Sequence, residues 1–456
     1  MKPIFKEEKD FLERNLSIEL PNNCWRSGSK IYLNIDTKPA LIEFKVDMGK
    51  MYIKKNNIIE IKEKKVIIQN KKEQNEVINL SWEDEFELRK DYLRALEIES
   101  IEKTIEFIDL HKGYEQRISI SGGKDSDLLY YIMMKVYNQL GYVRNDYIID
   151  IFNTTNDTAD TFKHIKNDFP ITIKDIHSPE KGWYKWLGED KNWFLPSTMV
   201  RNCCSTYKEG QLKKILDKKK NYILFLGMRK FESAKRSKYD WDLNEAIKKN
   251  DSKMKLNVPE NWKRFLPIVN FKDEDVWLML LYNKIKFNYM YRLGFNRTGC
   301  LICPFSSGYA DMLIRQHYNF LMKRWEFALE QNYNIYNVEN RLKWSLEEWM
   351  LGKWKQGTSK EYELINLKPT KERIEELAKI KGVSYEIAEK YFQKKCSICG
   401  KKLNPDEVAM NLKYYGRSMD LEKLQCKKCF CESNKIDSKK YSEMIMSFRD
   451  SGCKLF

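Results

Sequence analysis

The stretch Arg117-Ile118-Ser119-Ile120-Ser121-Gly122-Gly123-Lys124-Asp125-Ser126-Asp127-Leu128-Leu129 decides the fold. Its first four residues read as a short buried strand and its middle as a glycine turn. Leu128, Leu129, Ile132, Met133, Val136 and Leu140 then recur at helical spacing. Two glycines let the backbone turn tightly and bring N–H groups close to an anion, and the helix N-terminus adds partial positive charge. Ser121, Lys124 and Ser126 offer further donors, and Asp125 offers a carboxylate suited to helping hold Mg²⁺. The plainer alternative is an ordinary glycine turn, a solvated Lys124 and an Asp125 that only caps the helix. Strand, S-G-G-x-D-S and helix in succession favour a phosphate loop. It is not a Walker loop, because G-x-x-x-x-G-K-S/T is missing.

Outward from this loop, Tyr147–Phe152, Ile171-Thr172-Ile173 and Tyr222–Leu226 read as further buried strands separated by helical patterns. That rhythm predicts an α/β fold with a parallel sheet covered by helices, in which ligands sit at the carboxyl ends of the strands. Residues 1–80 carry short β-branched and aromatic runs at Ile31–Leu33, Leu41–Val46, Met51–Ile53, Ile58–Ile61 and Val66–Ile68. Gly28, Gly49 and Asn56-Asn57 punctuate them, which predicts a small antiparallel β-rich module. Ser81-x-x-Asp84 opens a helix running towards Leu110. The expected organisation is therefore a β-rich module over 1–80, a phosphate-loop domain over 81–304, a helical segment over 305–392 and a small cysteine-bearing module over 393–456.

The chain has 456 residues, 82 Lys plus Arg against 66 Asp plus Glu, and a net charge of +16, which favours a polyanionic partner. Apolar residues make up 42% and aromatics 13%, which excludes a mainly disordered chain. No apolar run reaches a membrane-spanning length and the first residues lack a secretory h-region, so a cytoplasmic location without a membrane partner is expected.

Further blocks narrow the loop's family. Gly227-Met228-Arg229-Lys230-Phe231-Glu232-Ser233-Ala234-Lys235-Arg236 follows an apolar strand; Arg201-Asn202-Cys203-Cys204-Ser205-Thr206-Tyr207-Lys208 precedes it, and Pro267-Ile268 with Asp273-Glu274-Asp275-Val276-Trp277 follows it. As a set these resemble the phosphoadenosine-phosphosulfate (PAPS) reductase-like family of N-type ATP pyrophosphatases, over roughly residues 115–310. The resemblance implies an adenine-nucleotide alpha-hydrolase-like core. It also implies a nucleotide site made by Ser121, Gly122, Gly123, Lys124, Asp125, Ser126, Gly227 and Arg229, with Lys124, Asp125, Arg229 and Arg236 as catalytic groups. Guanidinium groups just after a strand end suit bidentate binding of phosphate or sulfonate oxygens. The ligand implied is ATP with Mg²⁺, or adenylyl sulfate or PAPS. Asn153-Thr154-Thr155-Asn156-Asp157 stands where the family holds adenine and ribose, and matches only in part.

The 11 cysteines are mostly grouped, as metal ligands or redox groups are in a chain without a secretory signal. Cys203-Cys204 with Cys300-Leu301-Ile302-Cys303 resembles the arrangement by which adenylyl-sulfate reductases hold a 4Fe–4S cluster. Zinc and metal-free thiols are the alternatives. Cys396-x-x-Cys399 with Cys426-x-x-Cys429 is a tetrahedral Zn²⁺ pattern of the zinc-ribbon kind, with Gly400 in its first turn. Tyr414, Tyr415 and Arg417 with Lys401, Lys402, Lys413, Lys427 and Lys428 supply aromatic and basic groups for a polyanion, or a solvated basic face. Cys453 lies near the end, but the E-C-G-I/L-H tail of sulfonucleotide reductases is missing.

Three functions follow. The first is an ATP pyrophosphatase that adenylylates a substrate for sulfur transfer onto DNA or RNA, with a cysteine desulfurase or another sulfur donor implied by family. The second is an adenylyl-sulfate or PAPS reductase. The third is a nucleotide- or nucleic-acid-binding regulator without turnover. The intact loop, the extra modules and the missing tail motif favour the first.

Overall fold

The structure is a computed structural model describing residues 1–62, 64–69, 74–196, 202–233, 236–250, 258–337, 342, 344–355, 364, 368–415 and 421–450. Arg201, Ala234, Lys235, Arg417 and Cys453 lie outside the described residues. The chain divides into two compact units, Met1–Gly182 with Cys204–Leu301, and Trp183–Cys203 with Ile302–Phe456.

The first unit begins with β1 (Lys2–Pro3), α1 (Lys6–Leu16), β2 (Trp25–Ser27), β3 (Lys30–Tyr32), β4 (Ile42–Asp47) and β5 (Lys50–Asn56). Its five strands pair antiparallel in the order β1-β2-β3-β4-β5. Next, β6 (Ile58–Lys62), β7 (Lys65–Gln69) and β8 (Gln74–Ile78) form a separate antiparallel sheet. The β-rich reading holds, and α1 is an addition to it: Phe11, Leu12 and Leu16 are buried on one face. Buried Glu8 of that helix accepts from Arg26 Nε at 2.5 Å and pairs with Lys2, and Arg26 Nη2 donates to Gly294 O at 2.6 Å. Burial lowers the Lys2 amine to about 8, even with Glu8 beside it.

Ser81 caps α2 (Trp82–Glu87) with a reciprocal capping box to Asp84. The expected single helix to Leu110 is two. Arg89 leaves helical geometry at φ −117°, ψ 5° and pairs with Asp36, Leu88 faces solvent, and α3 (Lys90–Leu110) starts afresh.

The central sheet uses β9 (Glu115–Ser119), β10 (Tyr147–Phe152), β11 (Ile176–His177), β12 (Tyr222–Phe225) and β13 (Trp262–Phe265). All pair parallel, in the order β11-β10-β9-β12-β13. Helices α4 (Lys124–Leu140) and α5 (Ala159–Asp168) follow β9 and β10. The core joins Ile118 and Ile120 to Leu128, Leu129, Ile132, Met133 and Val136 of α4, and to Ile149, Ile223, Phe225 and Phe265 of neighbouring strands. The helical spacing read from the sequence is thus the face α4 buries. The strand expected at Ile171-Thr172-Ile173 is absent. Asp175 accepts from Thr172 N at 2.5 Å and Thr172 Oγ1 at 2.8 Å, closing a turn, and Ile173 is 88% exposed. The edge strand starts one step later, at Ile176.

The second unit is helical: Trp183–Glu189, Gly308–His317, Asn319–Tyr336, Leu346–Met350, Lys371–Lys381, Tyr385–Phe392, Pro405–Tyr414, Lys427–Asn434 and Ser438–Asp450. Trp183, Trp325, Leu329 and Trp349 are buried in its first part, and Tyr415, Phe430 and Tyr441 in its tail. Among the described residues, no helix is long and apolar enough to cross a membrane.

Candidate active site and the two cysteine sets

β9, the first strand of the parallel sheet in chain order, lies beside β12, the fourth. Chain direction across the sheet reverses at this pair, and in open parallel sheets that is where a crevice opens at the carboxyl ends. Ser121-Gly122-Gly123 leaves β9 and Gly227-Met228-Arg229 leaves β12, so the two motifs read from the sequence meet there. A Cβ on Gly227 would stand 3.0 Å from the Asp125 carbonyl oxygen, so this glycine permits the close approach. Gly122 has φ +70°, and a Cβ there would press on Thr161 and Ile165 of α5 at 3.0–3.1 Å. A Cβ on Gly123 would meet Thr298 Oγ1 at 2.9 Å and Tyr291 Oη at 3.3 Å.

The loop is braced from behind. Asn288 Nδ2 donates to Gly122 O at 3.1 Å, and Ser126 Oγ donates to Gly123 O at 2.7 Å. The Lys124 N–H, one of the groups offered above to an anion, donates to Tyr291 Oη at 3.0 Å. Ser121 is exposed at the mouth of the turn, while Gly122, Gly123, Lys124 and Ser126 are buried.

Two cations and two carboxylates close over this turn. Lys124 Nζ lies 2.9 Å from Asp125 Oδ1 and 2.9 Å from Asp273 Oδ1. Arg229 Nε donates to Asp125 Oδ1 and Nη2 to Asp273 Oδ1, each at 2.7 Å, while Nη1 reaches Phe271 O at 3.2 Å. Burial works against the charges of Lys124, Arg229 and Asp273. Asp125 and Asp273 overcome it for Lys124 and Arg229, which are both held more firmly protonated than usual. Lys124, the Met1 amine and Arg229 hold Asp273 well below the usual carboxylate range. The cations are 5% and 3% exposed, against 27% for Asp125 and 41% for Asp273, so the network is sealed on one side and open to solvent on the other.

Arg236 stands apart from this knot. Its guanidinium pairs with Glu232, which also accepts from Arg229 N at 2.9 Å, so among the described residues that carboxylate joins the two arginines. At the end of β10, Thr155 has φ +54°, Asn153 Nδ2 reaches Ser178 Oγ at 3.2 Å, and Thr154 Oγ1 donates to half-buried Asp157 at 2.5 Å.

Of the first cysteine set, Cys204 and Cys300 belong to the first unit and Cys203 and Cys303 to the second. In the first unit Cys300 Sγ lies 3.7 Å from Thr154 Oγ1, and Leu301 N donates to Asn156 O at 2.7 Å. The Cys300 thiolate, then Asp157 and Cys204, raise the Lys208 amine against its burial. In the second unit Ser306 Oγ donates to Cys303 O at 2.9 Å, and Lys355 Nζ donates to Ser306 Oγ at 2.6 Å.

The second set is brought together: the sulfurs of Cys396, Cys399, Cys426 and Cys429 all lie within 4.8 Å of one another. Cys399 and Cys426 are 3.6 Å apart, near the edge of about 3.8 Å expected for a tetrahedron with Zn–S bonds of about 2.3 Å. The first pair sits on a knuckle whose Lys395 and Lys402 form a β-bridge, with Gly400 at φ +72°. Cys426 caps the helix Lys427–Asn434, and Cys429 lies in its first turn. Burial opposes ionisation of Cys396, but N–H groups of Cys399, Cys426 and Ile398 bring its thiol down to about 7. Cys431 faces Asp437 O at 3.9 Å.

Tyr415 is fully buried against Phe430, with ring centroids 5.4 Å apart, and Tyr414 packs on the same ring at 5.1 Å. Tyr415, one of the two aromatics of the expected polyanion surface, is therefore core and removed from stacking, while Tyr414 is half-buried. Lys401, Lys402 and Lys428 remain exposed.

The sequence reading passed over Asp273, Tyr291, Asn288 and Thr298 as site residues. Asp273 stood in a quoted block and was a findable signal. The other three act on loop backbone far away in the chain, and nothing local marks them.

The family profile of the phosphoadenosine phosphosulfate reductase domain matches residues 115–306. Two uncharacterized proteins of Methanocaldococcus jannaschii are 26% identical over 251 residues and 28% identical over 238 residues. The matches cover 55% and 51% of this chain and 56% and 45% of those proteins, so the chain spans about half the length of the curated relatives it matches. Among solved structures, a PAPS reductase from Candida auris in complex with phosphate overlaps at TM-score 0.32 with 11% identity, over 49% of this chain and 97% of that one. FMN adenylyltransferase from Candida glabrata overlaps at 0.30 with 15% identity, over 47% and 68%. The tRNA thiolase NcsA from Methanococcus maripaludis, solved with its 4Fe–4S cluster, overlaps at 0.29 with 16% identity, over 58% and 89%. Residues 115–306 belong to the phosphoadenosine phosphosulfate reductase domain family.

Proposed function

We propose that this protein is an ATP pyrophosphatase that adenylylates a substrate for sulfur transfer, with nucleic acid as the acceptor class. One observation carries the reading: the glycine loop after β9 and the Arg229 loop after β12 meet at the strand pair where the sheet's chain direction reverses. There a buried Lys124 and Arg229 stand behind two solvent-facing carboxylates. In the reaction an acceptor oxygen attacks the α-phosphorus and forms a new P–O bond. The bond from that phosphorus to the bridging oxygen breaks, and pyrophosphate leaves with the electron pair. Lys124 and Arg229 stabilise the charge that grows on the leaving group. Ser121 and the turn position it, Arg236 is an outer cation, and Mg²⁺ arrives with the nucleotide phosphates. The net charge of +16 suits a polyanionic acceptor. A sulfur donor, of which a cysteine desulfurase is one kind, completes the transfer.

The donor set Cys203, Cys204, Cys300 and Cys303 is all sulfur, and Cys300 and Cys204 help to raise the nearby Lys208 amine. We assign this set to a 4Fe–4S cluster, which supplies electron transfer or sulfur ligation when bound. We assign Cys396, Cys399, Cys426 and Cys429 to a structural Zn²⁺, since four protein thiolates leave no open position for water.

The same Cys204–Cys300–Lys208 grouping favours the second reading, a sulfonucleotide reductase. Anaerobically purified protein decides between them by its products. Pyrophosphate from Mg·ATP in the presence of RNA or DNA supports the first reading. Sulfite from adenylyl sulfate or PAPS with a thiol reductant, and no pyrophosphate from ATP, replaces it with the second.

A further inference from the structure

Directly beneath the phosphate loop lies a charge cluster that the nucleotide chemistry above does not use. His164, in α5, is 6% exposed. Its Nε2 lies 3.0 Å from Oδ1 of Asp127 in the first turn of α4, and its Nδ1 lies 2.9 Å from Oδ2 of Asp168 at the end of α5. Ionised carboxylates only accept hydrogen bonds, and a neutral imidazole has one N–H to give. With both carboxylates ionised, both short contacts are satisfied together only if both ring nitrogens carry hydrogen. The other groups facing the cluster are Lys286, 3.0 Å from Asp168, the edge of the Phe169 ring, and Asp125 two residues before Asp127. Asp127 is 2% exposed, and its second oxygen has no partner among the described residues, so its charge depends on this imidazole.

The cluster's position gives it a task. One turn before His164, Thr161 stands against Gly122, and Asn288 Nδ2 donates to both Thr161 Oγ1, at 3.0 Å, and Gly122 O, at 3.1 Å. Ile165, the residue after His164, also stands against Gly122. The spacing of α4 and α5 therefore sets where the glycine turn lies.

We propose that His164 is a positioning residue for the phosphate loop: as an imidazolium held between Asp127 and Asp168, it fixes α5 against α4 so that Thr161 and Ile165 pack on Gly122. The clamp needs its proton. When the proton leaves, one short contact becomes a pair of facing acceptors and α5 moves off the turn.

The chain has only four histidines, which makes the test direct. In full-length protein with ¹³C-labelled histidine and ¹⁵N-labelled glycine, His164 is assigned by its loss in His164→Gln. The expected result is an imidazolium at neutral pH, with the Gly122 and Gly123 amides shifting at the same midpoint as His164 when the pH is raised, while Gly352 and Gly382 of the second unit stay still. The variant Asp127→Asn supplies an amide N–H to Nε2, so a neutral His164 can donate through Nδ1 to Asp168. It should keep the loop in place and abolish the alkaline shift of Gly122 and Gly123. A second arm rests on the nucleotide reading above: Mg·ATP affinity of the wild type should fall about fivefold or more across that transition, and that of Asp127→Asn should not. A His164 that is neutral at pH 7, or glycine amides that shift equally in Asp127→Asn, overturns the proposal. Absence of Mg·ATP binding at every pH sinks the nucleotide reading and leaves the resonance test to decide the clamp.

Discussion

Two charge networks lie on the same parallel sheet, and they differ in how far their carboxylates face solvent. In the middle of the sheet, Arg117 of β9 donates from Nε and Nη2 to Asp150 of β10, at 2.8 and 2.6 Å, and His177 of β11 completes the row at 2.7 Å. One residue from each of three adjacent strands is used, and Asp150 is fully buried. At the carboxyl ends, Lys124, Arg229, Asp125 and Asp273 make bonds of the same length, but Asp273 keeps 41% of its side chain exposed. Equal chemistry with unequal solvent access gives the first network a structural task and the second an open face.

The largest effect should come from filling the turn. Gly123→Val drives side-chain atoms into Thr298 Oγ1 and Tyr291 Oη, so pyrophosphate release should fall below detection while the melting temperature moves little. A melting temperature that collapses together with activity would place the turn in the fold-holding class. Asp150→Ala should do the reverse, leaving buried Arg117 with only the half-exposed Glu115 carboxylate among the described residues and costing about 3 kcal/mol in denaturant unfolding. Mg·ATP affinity of the folded fraction should be unchanged. The direction with pH follows from the same pair. Burial opposes the Asp150 charge, Arg117 and His177 outweigh it, and the carboxyl is held below its ordinary 3.8. Its contribution is present above that value and lost as the pH falls through the lower folded one, so Asp150→Ala should flatten the acid limb of the stability curve.

A smaller, local effect is expected in the tail. Cys399→Ser removes one of four sulfurs and should release zinc and raise protease sensitivity near the C-terminus, with the iron content unchanged. Loss of both metals together would show one shared folding unit. Smallest of all is Arg236→Ala. Its pair with Glu232 is partly exposed, so stability should change by about 1 kcal/mol or less. Mg·ATP binding should weaken far less than in Arg229→Ala, and an equal loss would bring Arg236 into the open network.

What was legible in the sequence depended on how far apart the cooperating residues lie. The glycine turn and the tail cysteines are short-range patterns, set by backbone conformation and thiolate spacing: the turn lies between β9 and α4, and the four tail sulfurs meet. The partners of Lys124 and Arg229 were half legible: Asp125 is adjacent, whereas Asp273 enters from the start of the helix Asp273–Tyr282. Ile171-Thr172-Ile173 was misread because β-branched content was weighed without the Asp175 side chain that closes a turn over Thr172. Tyr415 was misread because composition carries no burial, and it is buried against Phe430. His164 carried no motif, since its meaning comes from Asp127, which only the packing of α5 on α4 supplies.

The central claim is that the open network at the carboxyl ends of β9 and β12 works on the leaving pyrophosphate. It is tested most directly by single-turnover pyrophosphate release from Mg·ATP, with nucleic-acid acceptors present, in Lys124→Ala and wild-type protein of matched iron content. The account predicts a rate lower by about 10²–10³-fold in Lys124→Ala, with the melting temperature and iron content retained. A rate within about twofold of the wild type would contradict it, because a cation that stabilises the leaving group is not dispensable.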